Sequence, residues 1–428
     1  MLIDWIHWLS SIRTNELICM FATFLLLDGL RYTVLLGAMA VWDCMVDMWR
    51  WVKGETREPD FSYCPSVAVM IVGLNEGDTI QHALESIYGT YPRMEIFVVD
   101  DGSTDGMADK ALIFARKHQG VTVLRRKLRG GKSSAMNMPL PMINAEVVVV
   151  IDSDSHLAEG AIWHIVQPFR DPKVGAVSGC VSSRNPFVNL VTVTQALEYR
   201  RSIFVGRILL SRLDILGIVS GALGAFRKEA LDRVGGWDVG PGEDGDLSIK
   251  LRKCGYQIVF KPEANCLTNT PTKLWGLIRQ RRRWEWAAIT FECRKHIDMG
   301  NPFRKRFRWN DFAMMVERWL FNFILVYTSV VFLICIPFFY PLENLIYLIF
   351  TFYLAYVITD IFQLVVLLYY SPNKMQDLKL GLATPLMPIY YAMQKAVTCW
   401  AITEELLWRR SFKDNFVPKR VREATWHW

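Results

Sequence analysis

Two carboxylates one residue apart, Asp152 and Asp154, follow directly on the run Val147-Val-Val-Val-Ile151. Such a continuous β-favouring apolar run reads as a strand buried on both faces. The two acids then stand at its C-terminal end, the edge at which open α/β sheets bind ligands. Their hard oxygens suit Mg²⁺ or Mn²⁺, cations that are commonly shared with substrate phosphates. A second acid pair, Asp100-Asp101, closes the run Glu95-Ile-Phe-Val-Val, and a third, Glu243-Asp244, opens a predicted helix. Lys132 lies in the loop Gly130-Gly-Lys-Ser133, a cation on a flexible segment. This loop is not a P-loop, because Arg126 stands where that motif needs its first glycine. An isolated Asp-x-Asp is more often a solvated turn; the strand in front of it and the acids around it favour a site.

The elements that must position these groups alternate. Strands are predicted at Ser66–Val72, Glu95–Asp100, Val121–Leu124, Val147–Ile151 and Val174–Val181, with helices at Asp78–Tyr88, before His118 and after Ser134. Glu76 sits in the turn after the first strand. This order predicts an α/β fold with a mostly parallel, doubly wound sheet. Helical patterning over Leu190–Leu210 is followed by the small-residue stretch Gly217–Phe226, a short helix Arg227–Val234, a helix Glu243–Cys254 and a strand Gln257–Phe260. Thr272–Met299 reads as a long amphipathic helix with Trp275, Ile278, Trp284, Trp286 and Ile289, suited to a membrane surface.

Hydrophobic residues make up 52% of the 428 positions and aromatics 13%, more than a soluble enzyme of this size usually carries. The excess is concentrated near the two ends. Leu17–Trp42 is apolar apart from Asp28 and Arg31, which lie three apart and can pair on one helix face. As a helix it would be about 39 Å long, enough to span a bilayer. Trp319–Pro341 and Leu345–Tyr370 read as a membrane hairpin. Leu380–Trp408, interrupted by Pro385, Pro388, Lys395 and two glutamates, reads as re-entrant or interfacial. The expected division is 1–60 (interfacial segment, span and linker), 61–271 (α/β domain), 272–312 (interfacial helices), 313–376 (hairpin) and 377–428 (re-entrant helix and basic tail). Trp275 and Arg281 are expected to face lipid. The net charge of +7 gathers beside the apolar segments, which fits anionic headgroups and a cytoplasmic face. No nucleic-acid recognition module is visible. Nine scattered cysteines without metal spacing indicate a reducing compartment, and no cleaved signal peptide is expected.

Asp100-Asp101-Gly-Ser, Asp152-Ser-Asp154, Gly242-Glu243-Asp244 and Gln280-Arg-Arg-Arg283-Trp284 come in an order and spacing that resemble the membrane-embedded synthases of glycosyltransferase family 2, which make cellulose, hyaluronan, chitin and poly-N-acetylglucosamine. The resemblance covers about Ser66 to Trp286. It implies a GT-A fold, a UDP-sugar donor, a divalent cation and inversion at the anomeric carbon. By the same resemblance, Asp101 looks like the uracil-binding acid with Asp100 beside it. Glu76 and Lys132 face the nucleotide, Asp154 ligates the cation, and Asp152 contacts the ribose or the metal. Asp244, with Glu243, looks like the base that deprotonates the acceptor hydroxyl. Gly221 and Gly224, in Ser220-Gly-Ala-Leu-Gly-Ala-Phe226, resemble the acceptor-pocket stretch. Trp284 would lie under the acceptor sugar, with Gln280 and Arg283 toward the nucleotide. This sequence has Gly242 where cellulose synthases have Thr, and Glu243 where hyaluronan and chitin synthases have Asp, so the polymer is not specified.

The expected function is a processive hexosyltransferase of the plasma (bacterial inner) membrane, with its catalytic domain cytoplasmic and its product an extracellular polysaccharide passed across the bilayer. Its partners would be a UDP-sugar, a polysaccharide or lipid-linked acceptor, the lipid bilayer, and an envelope export partner or a second copy of the chain. Two alternatives stand beside it: transfer of a single sugar to a lipid or glycolipid acceptor, and a non-enzymatic subunit of a synthase complex.

Overall fold

The computed structural model describes residues 2–12, 33–55, 60–338, 341–414 and 417–425. Asp28, Arg31 and most of the Leu17–Trp42 segment lie outside the described residues.

A single sheet organises the α/β part. Its strands are β1 (Val67–Gly73), β2 (Met94–Asp100), β3 (Val121–Arg125), β4 (Val147–Asp152), β5 (His156–Leu157), β6 (Val174–Ser183), β7 (Leu223–Arg227) and β8 (Gln257–Thr268), in the order β3-β2-β1-β4-β7-β6-β8-β5. The pairs β3–β2, β2–β1, β1–β4 and β6–β8 are parallel; β7 runs antiparallel to both β4 and β6. The apolar runs in β1 and β4 feed two separate cores, because side chains alternate across a strand. Ala68, Met70, Val148 and Val150 join one cluster, and Val67, Val69, Ile71, Val147, Val149 and Ile151 the other. The sheet is therefore mostly parallel, as expected, with one reversed strand in its middle.

That reversed strand comes from the glycine-rich stretch. Gly224 pairs with Val150 on one side and Ser178 on the other. A Cβ at Gly224 would stand 2.6 Å from Val219 Cγ1. Gly224 is therefore buried inside β7, where its smallness serves close packing. Strand β8 runs on to Thr268, well past Phe260, because its second half continues pairing with β6 and adds β5.

The amphipathic segment is an α-helix over Leu274–Ala288, a π-helical turn over Ile289–Lys295 and a 3₁₀ turn over Ile297–Gly300. Arg281 does not face lipid. Its Nη2 is 2.6 Å from Glu198 Oε2, and its guanidinium stacks 4.4 Å from the Trp284 ring centre. Leu380–Trp408 is also tidier than its composition suggests. Pro385 precedes, and Pro388 begins, one continuous helix, Met387–Trp408; proline at a first turn removes no intrahelical hydrogen bond. Its two glutamates are paired, Glu404 with Arg282 at 2.7 Å and Glu405 with Arg294.

Two helices are long and apolar enough to cross a membrane, Trp309–Phe338 and Asn344–Tyr370. The first begins ten residues before the expected Trp319. Its opening turns carry Asp311, held 2.8 Å from the fully buried Arg252, and Met314 and Met315, which pack against Ile249 and Phe291. The helix is thus anchored on the α/β domain before it becomes wholly apolar.

Candidate active site

The site forms along the C-terminal edge of β1, β2 and β4. Asp100 and Asp101, at the end of β2, are both buried. Asp100 Oδ1 accepts the Ser103 N–H at 2.9 Å, closing the turn. The Asp101 oxygens accept the N–H groups of Gly130 and Gly131 at 2.8 and 2.7 Å, and Arg126 Nη1 lies 3.2 Å from Oδ1. Asp101 therefore fixes the glycine loop that presents Lys132. Any contact with a nucleotide base would use the lone pairs these bonds leave over. Glu76 is half-buried in the turn after β1. Burial raises its pKa against the Thr79 hydroxyl bond, and the nearby charges of Asp154, Asp105 and Asp152 raise it further.

Lys132 is the hub. Its Nζ lies 2.6 Å from Asp152 Oδ1 and 3.5 Å from Glu243 Oε1. A Cβ added at Gly221 would stand 3.3 Å from this same Nζ and 3.5 Å from Asp244 Oδ2. One ammonium thus draws together the end of β4, the acids of helix Glu243–Lys253 and the small-residue loop before β7. Burial alone would lower the Lys132 pKa, but the charges of Asp152 and Glu243 outweigh it and hold the ammonium protonated. Burial raises the pKa of Glu243 and of Asp244, and in each case Lys132 pulls it back down. Asp244 Oδ1 also accepts the Gly245 N–H at 2.8 Å. Asp154 is raised as well, by burial and then by the adjacent Asp152.

The donor set fits a divalent cation. Asp152 and Asp154 offer two hard carboxylates one residue apart at a strand end. Among the described residues, no group of three or more His, Cys, Asp or Glu side chains is arranged as a complete cage. Mg²⁺ and Mn²⁺ do not need one, since phosphate oxygens and water complete their shells.

The helix carrying Gln280, Arg283 and Trp284 is locked to the Glu243–Asp244 turn by two glycines. A Cβ at Gly242 would stand 2.8 Å from Ala287 Cβ, and one at Gly245 would stand 2.3 Å from Phe291 Cζ. Gly242 also has φ +71°, a left-handed conformation that costs other residues about 1–2 kcal/mol. Gln280 Oε1 is buried without a hydrogen-bond partner among the described residues, Arg283 is half-buried, and Trp284 is 43% exposed.

Residues 65–287, just over half of the chain, match the sequence profile described as glycosyltransferase like family 2. The chain belongs to glycosyltransferase family 2. Relatives within the family include a poly-β-1,6-N-acetyl-D-glucosamine synthase of Staphylococcus epidermidis, 30% identical over 236 residues (54% of this chain, 56% of that protein). A protein of the same name from Staphylococcus aureus is 29% identical over 233 residues (53% and 56%). The chain thus spans a little over half the length of the curated relatives it matches. A solved mannosyltransferase of Pyrobaculum calidifontis, in complex with GDP-Man and Mn²⁺, superposes with a TM-score of 0.57 at 22% identity, covering 88% of this chain and 97% of that one. This family 2 chain therefore has a GT-A-type fold.

Two features of the family 2 site carry no motif that sequence reading would find. Arg207 Nη1 donates to Ser178 Oγ at 2.8 Å and Ser220 Oγ at 2.5 Å, bracing the loop that holds Gly221. Burial lowers its pKa to about 10, although Cys180 and Asp244 counter the fall. The second feature is a contact from the C-terminal segment: Arg420 Nη2 donates to the Arg129 carbonyl at 2.9 Å, and Pro418 Cδ lies 3.5 Å from where a Gly131 Cβ would be.

Proposed function

We propose that this chain transfers a sugar, with inversion, from a UDP-sugar to a hydroxyl at the growing end of a polysaccharide. The names of the relatives make UDP-N-acetylglucosamine the first donor to test. The observation that carries the reading is the convergence of Asp152, Glu243 and Asp244 on Lys132, with the side-chain-free Gly221 packed directly against the Lys132 ammonium and the Asp244 carboxylate.

In this reading Asp244 takes the proton of the acceptor hydroxyl. The oxygen attacks the anomeric carbon as the bond to the diphosphate breaks, leaving UDP and one sugar added. The raised pKa of Asp244 makes it a better proton acceptor than an ordinary aspartate, and Lys132 keeps enough positive charge nearby for it to ionise. Gly221, which has no side chain to screen the Asp244 carboxylate, lets the acceptor approach the backbone there, and Trp284 offers an aromatic face for the acceptor ring. Asp101 and Glu76 line the nucleotide side, with Gln280 and Arg283 directed toward the donor diphosphate. Asp154 and Asp152 would hold Mg²⁺ or Mn²⁺, which when bound neutralises charge on the departing diphosphate.

The two long apolar helices support a multi-pass arrangement in the plasma membrane, with residues 61–271 as a cytoplasmic catalytic domain, residues 272–312 at the interface and the polymer leaving past residues 313–376. An export partner or a second copy would complete that path.

The test is UDP release by the purified chain in nanodiscs, with a panel of UDP-sugars and each cation, beside Asp244→Asn. One donor should turn over. The variant should lose about 10²- to 10⁴-fold, the range of general-base catalysis, while still binding UDP. Equal rates in the two proteins would remove Asp244 from its role. UDP binding without turnover of any donor would favour the non-enzymatic subunit. Product length separates a processive enzyme from one adding a single sugar.

A further inference from the structure

A platform for a sugar has to be rigid, and Trp284 is held in an unusual way. Arg281, three residues before it, lays its guanidinium 4.4 Å from the Trp284 ring centre, and the same group stands 5.8 Å from the Tyr199 ring centre. Its Nη2 is 2.6 Å from Glu198 Oε2. That carboxylate oxygen also accepts the Tyr390 hydroxyl at 2.5 Å, and Gln394 Nε2 donates to the tyrosine oxygen at 2.7 Å. Three elements meet here: helix Leu190–Tyr199 of the catalytic domain, helix Leu274–Ala288, and helix Met387–Trp408.

The hydrogen bonding of Arg281 is incomplete among the described residues. Its side chain is 11% exposed, yet its Nε is buried without a hydrogen-bond partner among the described residues. Buried donors are ordinarily paired. Here Nη2 is held by Glu198 and the guanidinium carbon lies over the Trp284 ring, while Nε has no partner among the described residues. Covering one ring face with a cation while 43% of Trp284 stays exposed fixes the tilt of the remaining surface.

We infer that Glu198, Arg281 and Tyr390 are positioning residues that clamp Trp284 as the acceptor-sugar platform and tie its tilt to helix Met387–Trp408. This inference rests on the transferase reading above. The geometry makes Arg281 distinct from a plain ion pair. A lysine in its place keeps the charge toward Glu198 and loses the planar stack.

The experiment measures binding of a short β-1,6-linked N-acetylglucosamine oligomer to the full chain by calorimetry, without donor, alongside UDP affinity and thermal unfolding. Arg281→Lys should weaken the oligomer by up to about 30-fold, the upper span of a cation–π contact, with UDP affinity unchanged; loss of the buried stack lowers the unfolding temperature as well. Tyr390→Phe, which removes one hydroxyl, should weaken it in the same direction by less, and carries the test if the arginine variant fails to fold. Trp284→Ala sets the floor. Oligomer binding at wild-type strength in both variants would overturn the inference. So would a loss matched by an equal loss of UDP affinity, or a wild-type protein that binds no oligomer. Failure of the transferase reading shows separately, as absence of sugar transfer by the wild-type protein from every donor.

Discussion

Gly242 is the position at which the structure makes its most quantitative demand. Replacing it with alanine forces a Cβ onto a backbone at φ +71° and brings that carbon to 2.8 Å from both Ala287 Cβ and Phe291 Cε1. The left-handed conformation costs about 1–2 kcal/mol, and overpacking adds about 1–3 kcal/mol. Gly255, just past the other end of the same helix, provides the control: its φ is +94°, and a Cβ there meets nothing within 4 Å. Gly255→Ala should therefore show the conformational cost alone, and Gly242→Ala about 1–3 kcal/mol more. Gly242 precedes Glu243 and Asp244, so relief of the clash moves the carboxylates. A displacement of about 1 Å is enough for a 10²-fold loss of turnover. Thermal unfolding and UDP release on both variants, with Gly242→Ala/Phe291→Leu as a partial rescue, give the comparison. Equal destabilisation by the two alanines, with turnover unchanged in Gly242→Ala, would refute the claim that this glycine seats the Glu243–Asp244 turn on Ala287 and Phe291.

The pH dependence follows from the buried acids. A base works deprotonated, and burial holds the Asp244 pKa above its ordinary 3.8, so turnover should fall as pH drops through that raised value. Lys132 opposes the rise; Lys132→Gln should therefore move the acid limb of the kcat profile to higher pH, and an unmoved limb would disconnect the lysine from the base. Asp154→Asn should raise the Mn²⁺ concentration giving half-maximal UDP release by about tenfold or more, as expected when one of few protein ligands loses its charge; an unchanged metal titration would place the cation elsewhere.

Strands β1, β2 and β4 were legible because burial on both faces leaves an unbroken apolar signature, and their closing acids were legible because a strand end is where polar side chains reach the cleft. Strand β7 was hidden because Gly224 and Ala225 are selected for close sheet packing, and smallness reads equally well as a pocket wall. Arg281 and Glu404 misled for a different reason. A charged residue in an amphipathic helix looks the same whether it faces headgroups or a partner far along the chain, and only the tertiary fold joins Arg282 to Glu404, 122 positions away, and Arg281 to Glu198, 83 positions away. Arg207 has no motif at all: its role rests on two serine hydroxyls brought in from β6 and from the loop before β7.

The contact between Arg420 and the Arg129 carbonyl joins positions 291 residues apart. On a ribosome, the strands and the loop at Gly130–Lys132 emerge first, and residues 417–420 only after both long apolar helices have been made. The loop that presents Lys132 thus acquires its last neighbours at the end of synthesis. A nascent α/β domain would fold around its sheet while this loop still lacked its contacts with Pro418 and Arg420, so the last wall beside Gly131 is set only when the chain is nearly complete.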